Sequence, residues 1–195
     1  MLSHLSESPV FSSAFRVTNL SVALSYFAVA ESQANRSPCK RRKVGAVAVR
    51  DDRILATGRN GNIPKAPHCD ACMREQHNIP SGKDLGVCRA IHAEMNLFVQ
   101  AASMGISLSG SSIFITHKPC YMCFKLLMSL NPKAIFYKED YPDPYVDIEM
   151  ALTHNVVGAI IHPDESFYCY VIYKQSRLRN EDTLLDWFKG IGNDK

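Results

Sequence analysis

His92-Ala93-Glu94, answered by Pro119-Cys120-Tyr121-Met122-Cys123, is the stretch on which the reading of this chain turns. Each half sits where a helical pattern begins. Ile91, Met95, Phe98 and Ala102 share one face of a helix expected over Ala90–Met104. Cys120–Leu130 reads as a second, shorter helix, stopped by Asn131-Pro132. One imidazole and two thiols at helix starts make a three-ligand set for zinc that leaves the fourth position open to water. The positive ends of both helices would depress the thiol pKa values and favour thiolate ligands. Zinc lowers the pKa of its water to near neutrality. Glu94, two residues after the His, is then free to move protons. A purely structural site would want a fourth protein ligand and has no use for that carboxylate.

Around these helices the pattern is that of an α/β domain. Val17, Leu20, Leu24, Phe27 and Ala28 recur at helical spacing up to about Glu31. Val44-Gly45-Ala46-Val47-Ala48-Val49 is continuously apolar, as in a strand covered on both faces. Asp51-Asp52 turns the chain into a second strand, Arg53–Gly58, making a hairpin. Further strands are expected at Ser112–Thr116, Ala134–Tyr137 and Val156–Ile161, and helices at Tyr145–Thr153 and Arg179–Lys189. Alternation of helix and strand after the hairpin implies a mostly parallel sheet with helices on both faces. Sites in such sheets form beyond the carboxyl ends of strands, where His92 and Cys120 fall. Residues 1–15 read as a Ser-rich tail, 16–175 as one domain, and 176–195 as its helical extension, with Trp187 packing that helix.

The composition is ordinary for a globular protein: 195 residues, 46% hydrophobic and 21% charged. A net charge of +3 does not argue for a nucleic-acid binder. Met1–Phe15 lacks the basic start and apolar run of a secretory signal, and the apolar stretch from Val17 to Ala30 is too short and too polar to span a bilayer. The expectation is a soluble, cytoplasmic protein. Seven cysteines with two CxxC pairs then favour metal over disulfides.

Four of those cysteines, Cys39, Cys69, Cys72 and Cys88, frame residues 59–88, a stretch without periodicity that needs something to tie it down. A second, structural zinc held by these thiols would close it, with His68 and His77 as substitute ligands and free buried thiols as the alternative. Lys40-Arg41-Arg42-Lys43 abuts Cys39. Three readings of this run stand: it binds a substrate phosphate, offsets the negative charge of the thiolates, or is simply solvated. Arg89 is a comparable phosphate candidate. Cys169, in the apolar run Phe167–Tyr173, reads as a small core residue.

These motifs together resemble the deoxycytidylate (dCMP) deaminases, including the late-competence deaminase-like branch. The matching stretches are Cys39 with Val44-Gly45-Ala46, Thr57-Gly58-x-Asn60-Gly61, Pro67-His68-Cys69, Cys88-Arg89 leading into His92-Ala93-Glu94-Met95-Asn96, and Thr116-His117 leading into Pro119-Cys120-x2-Cys123. His-x-Glu with Pro-Cys-x-x-Cys alone is common to zinc-dependent nucleobase deaminases; the remaining elements narrow it to the nucleotide branch. The resemblance implies a three-layer α/β/α fold around a five-stranded mixed sheet, and homo-oligomers, commonly hexamers. It implies zinc-dependent hydrolysis of dCMP to dUMP and ammonia, with Glu94 as the general acid and base. By the same resemblance Asn60 bonds the sugar 3′-hydroxyl and Ala93 and Glu94 read the pyrimidine edge. Ala46, His117, Lys43, Arg89 and Tyr145 complete the substrate-binding set, with Tyr141 an alternative to Tyr145 for closing over the base. The chain departs from the family at Asn62-Ile63-Pro64-Lys65-Ala66, which lacks the usual further glycine, and at Arg59, where an aromatic is usual. A polynucleotide deaminase acting on tRNA or single-stranded DNA would want a basic groove with stacking aromatics, absent apart from residues 40–43. A non-catalytic zinc scaffold would not need Glu94.

Overall fold

The computed structural model describes residues 20–143, 145–146, 156–161 and 168–172. The N-terminal tail, the extension 176–195 with its helix and Trp187, most of the helix expected over Tyr145–Thr153, and the packing of the Cys169 side chain lie outside the described residues.

In chain order the elements are α1 (Leu20–Asn35), β1 (Gly45–Arg50), β2 (Arg53–Arg59), β3 (Gly61–Asn62), α2 (Met73–Gln76), a 3-10 turn (Leu85–Val87), β4 (Ala90–Ile91), α3 (Ala93–Ser103), β5 (Ser112–His117), α4 (Tyr121–Ser129), β6 (Ala134–Glu139), β7 (Val156–Ile161) and β8 (Tyr168–Ile172). The main sheet runs β2-β1-β5-β6-β8-β7, and β3 pairs with β4 in a small separate ribbon. The sheet is mixed, as the resemblance implied, but it is not five-stranded. Four strands, β2, β1, β5 and β6, carry the site, and β8 and β7 extend the sheet to six. Nor is it mostly parallel: only β5 and β6 run parallel, and every other pairing is antiparallel. Two placements account for this: β1 pairs antiparallel with β5, and β7 does not return beside β6. It turns back through β8, which inserts antiparallel between them.

Alternation of side chains across the pleat builds the three layers. Ala46, Ala48, Ile113, Ile115, Ile135 and Tyr137 face Ala93, Leu97 and Ala101 of α3 and Phe124 and Leu127 of α4. Val47, Val49, Phe114, Ala134 and Phe136 face the other way, onto Ala23, Phe27 and Ala30 of α1. Phe114 and Phe136 stack at 4.5 Å, and Phe27 meets Phe114 edge-on at 5.4 Å. β1, β5 and β6 are therefore covered on both faces, which explains why β1 reads as a continuous apolar run.

One glycine sets how closely α3 lies on the sheet. A Cβ at Gly58 would sit 2.1 Å from the carbonyl oxygen of Ala93 and 2.5 Å from the nitrogen of Leu97. Neither backbone atom can yield without moving the first turn of α3. Gly58→Ala is therefore expected to cost about 1–3 kcal/mol, as overpacking does, and to displace His92 and Glu94 along with the helix. Urea unfolding is the check; an unchanged midpoint would show that the helix is free to shift.

Candidate metal centre

The ribbon β3–β4 delivers the chain to α3. His92 is the N-cap of that helix, with extended backbone at φ −69° and ψ 157°, so it stands ahead of the first turn. Asn96 ties the same turn to β2 by donating from Nδ2 to the Arg59 carbonyl at 2.8 Å. At the carboxyl end of β5, beside parallel β6, the chain passes through Lys118 and Pro119 into α4. Cys120 is the N-cap there, again extended at φ −69° and ψ 164°, and Cys123 follows one turn later. Asp143, itself buried, accepts from the Tyr121 nitrogen at 2.8 Å and so anchors the start of α4. Two helix N-termini thus converge on one point, where their dipoles favour negative charge.

There the Sγ atoms of Cys120 and Cys123 each lie 3.4 Å from His92 Nδ1. Tetrahedral zinc with Zn–S near 2.3 Å and Zn–N near 2.0 Å would separate sulfur and nitrogen by roughly 3.5 Å. The donor set and spacing fit that ion, with Nδ1 as the nitrogen offered. Both thiols are buried and His92 is half-buried. The Cys120 thiol is lowered to about 4, first by its hydrogen bond with Cys123 and further by His92. The His92 imidazole is raised, above all by its hydrogen bond to Cys120. The Cys123 thiol is pushed up by its bond to Cys120 and by burial.

Glu94, in the first turn of α3, is 4% exposed. Burial pushes its carboxyl up to about 6, against a partial pull downward from His92. It shares a cleft with His92, Ala93, Asn60, His117, Cys120 and Tyr141. The cleft is open to solvent at its mouth. Asn60 is mostly committed to the fold: Oδ1 accepts from Val44 N at 2.8 Å and from Ser37 Oγ at 2.6 Å, and Nδ2 donates to Arg42 O at 2.7 Å. One Nδ2 hydrogen remains for a ligand. His117 bridges Glu139 at 2.9 Å and Thr116 at 3.1 Å. Burial holds His117 below its usual pKa, with Glu139 pulling the other way.

The remaining substrate candidates are dispersed. Ala46 is fully buried within β1, Lys43 is exposed, and Tyr145 is 61% exposed against Tyr121; none of the three lines the cleft. Arg89 is exposed and lines instead a smaller neighbouring cleft. That second cleft gathers Cys39, Cys69, Cys72 and Cys88 together with His68. Among the described residues, however, only His92, Cys120 and Cys123 bring three ligand atoms within 4.8 Å of one another. The four outer cysteines share a wall without meeting at ligand distance. Sequence reasoning missed Arg74, Ser81, Leu85 and Lys118, all of which line the main cleft. A lone arginine or lysine in a polar stretch carries no periodic signal, and only the folded chain reveals that Arg74 and Lys118 are buried.

Comparison with known proteins agrees with this geometry. ComE operon protein 2 of Bacillus subtilis (strain 168) is 38% identical over 108 residues, covering 54% of this chain and 53% of that protein. Deoxycytidylate deaminase of Mycobacterium phage D29 is 32% identical over 120 residues, 59% of this chain and 92% of the phage protein. This chain therefore spans about half the length of the first relative and nearly all of the second. The crystal structure of dCMP deaminase from the cyanophage S-TIM5, in complex with dCMP and dUMP, superposes with a TM-score of 0.57 at 32% identity. It covers 68% of this chain and 93% of that one. Residues 21–139 match the family described as the cytidine and deoxycytidylate deaminase zinc-binding region, and the chain belongs to that family.

Proposed function

We propose that this protein hydrolyses dCMP to dUMP and ammonia, supplying dUMP for thymidine nucleotide synthesis. The observation that carries the reading is the buried Glu94 carboxylate, two residues after His92 of a His-Cys-Cys donor set and in the same open cleft. The names of the phage relative and of the cyanophage structure point to the same substrate.

His92, Cys120 and Cys123 would hold the catalytic zinc. When bound, that ion supplies Lewis acidity and lowers the pKa of water at the site. Glu94 takes the proton from the attacking water at a carboxylate oxygen and delivers it to the pyrimidine ring nitrogen. It then takes the proton of the newly added hydroxyl and passes it to the departing amine, so that the carbonyl forms as the carbon–nitrogen bond breaks, acting as one base and acid in sequence. Burial serves this double task, because a carboxyl near 6 can both accept and donate close to neutral pH. His117 lies in the cleft wall, oriented by Glu139. Asn60, fixed by Val44 and Ser37, offers its remaining hydrogen to a sugar hydroxyl. Ala93, beside Glu94, presents its backbone to the base.

The same reading makes residues 16–175 one catalytic domain with 176–195 as an appended helix, in a cytoplasmic homo-oligomer, up to a hexamer. Among the described residues no helix is long and apolar enough to cross a membrane. Cys39, Cys69, Cys72 and Cys88 hold a second, structural zinc in this proposal; its support is their shared cleft.

An absorbance assay with dCMP, CMP, deoxycytidine and dCTP tests the activity, with dCMP expected to be turned over best. No turnover of any of them, with Glu94→Gln indistinguishable from the native chain, would sink it. Zinc analysis tests the metals: two per chain are expected, and one in fully loaded protein refutes the second site.

A further inference from the structure

Cys120 is an N-cap that does not use its own side chain as one. Its sulfur belongs to the donor set and makes no capping hydrogen bond to the first turn of α4. The free N–H groups of a helix N-terminus are ordinarily satisfied by the side chain at that position. Here a carboxylate from beyond β6 takes over. Asp143 Oδ2 accepts from the Tyr121 nitrogen at 2.8 Å, and Oδ1 accepts from the Tyr145 nitrogen at 3.2 Å. The Asp143 nitrogen donates to the Tyr141 carbonyl at 2.8 Å, which holds the residue by its own backbone as well. Asp143 is 6% exposed.

The Tyr121 nitrogen belongs to the peptide group that joins Cys120 to Tyr121. The carbonyl of the same peptide accepts from the Phe124 nitrogen at 2.8 Å. Both polar atoms of the plane next to the Cys120 Cα are therefore bonded, which restricts the direction of its Cα–Cβ bond before any metal arrives. Two other acidic residues reach the same stretch: Glu139 meets His117 at 2.9 Å and Asp140 pairs with Lys118 at 3.6 Å. Their side chains are 69% and 61% exposed, and ion pairs open to solvent hold little. Asp143 differs in being buried, with both oxygens accepting N–H groups, one of them at the positive end of α4. A turn alone would take asparagine as readily, since either side chain forms it. In the same pose asparagine has one accepting oxygen, and its amide nitrogen would oppose the other N–H. The arrangement calls for a carboxylate.

We propose that Asp143 is a positioning residue of the metal centre: by fixing the peptide that carries Cys120, its carboxylate pre-sets that sulfur against His92 and Cys123 for the ion. This rests on the His-Cys-Cys set being the metal centre, and not on which substrate the cleft takes.

The test titrates metal-free native protein, Asp143→Asn, Asp143→Ala and Asp140→Asn with cobalt(II), then displaces the cobalt with zinc. Visible cobalt bands report thiolate ligation and tetrahedral geometry, and the signal counted is the part that Cys123→Ser abolishes. Asp143→Asn is expected to weaken metal binding by about 3- to 10-fold, the worth of one hydrogen bond. Asp143→Ala should weaken it by about 10- to 100-fold, as loss of an outer partner does, and should shift the cobalt bands. Asp140→Asn should stay within about twofold of native. Native affinity with native spectra in Asp143→Asn overturns the assignment, and so does an equal loss in Asp140→Asn. Asp143→Asn keeps the shape of the side chain, so it decides the matter should Asp143→Ala fail to fold. Because the readout is metal and not turnover, a protein that leaves dCMP untouched is still judged by it. A native protein without this cobalt signal overturns the metal centre and the proposal with it, an outcome distinct from native binding that the variants leave unchanged.

Discussion

Glu94→Gln is expected to lower kcat for dCMP by about 10²- to 10⁴-fold, the usual contribution of a positioned acid–base group. The substitution keeps the shape of the side chain and removes its ability to take a proton. Among the described residues no other carboxylate lines the cleft to substitute for it. KM should stay within several-fold and zinc content should not change, since Glu94 is not a member of the donor set. The melting temperature should also hold, because glutamine removes a charge that burial already disfavours. Steady-state kinetics with parallel metal analysis are the measurement. A variant within threefold of native kcat would take proton transfer away from Glu94.

Cys123→Ser is expected to act on metal and stability together. Cys123 is fully buried and supplies one of the two sulfur donors at the convergence of α3 and α4. A serine hydroxyl does not ionise near neutral pH and is a poor zinc ligand. Metal affinity should fall by at least 100-fold, beyond the 10- to 100-fold typical of losing only an outer partner. By linkage, a 100-fold loss at saturating zinc removes about 2.7 kcal/mol of stability. Dialysed Cys123→Ser should then be zinc-poor and inactive, and it should melt with chelator-stripped native protein. Retention of stoichiometric zinc at His92 and Cys120 would remove Cys123 from the ligand set.

The parts of this molecule that were readable from sequence are those where a local pattern carries the physics. His92 and Cys120 lie at the boundary between aperiodic chain and helical periodicity, and both prove to be N-caps. The alternation of Ala46 and Ala48 with Val47 and Val49 places the two faces of β1. What was not readable depends on partners distant in sequence. Tyr168–Ile172 is an apolar run, but nothing in it says that it inserts between β6 and β7, so the expectation of a mostly parallel sheet fails there. The ribbon of Gly61–Asn62 with Ala90–Ile91 is too short to have a period. Lys40, Arg41, Arg42 and Lys43 form one basic run, yet Arg41 and Arg42 line the main cleft and the two lysines do not. Burial of Arg74 arises from backbone carbonyls that the chain supplies six and nine positions later.

That small ribbon has a consequence for how the protein can change. By pairing Gly61 with Ile91 and Asn62 with Ala90, it pins together the two ends of the segment 63–89 and makes of it a closed excursion. The entropic cost of closing such an excursion rises only by about 0.6 kcal/mol for each doubling of its length. Changes of length between the pinned ends therefore cost little in closure entropy, and His92 follows the second end directly. Arg74, with the turn it staples, belongs to the exchangeable part, and the donor set with Glu94 belongs to the fixed part. One wall of the cleft, from Cys72 to Cys88, and the donor set with Glu94 thus sit on separate pieces of the chain. Grafting a different segment between residues 62 and 90 would reshape that wall while the chain on either side keeps its pairing.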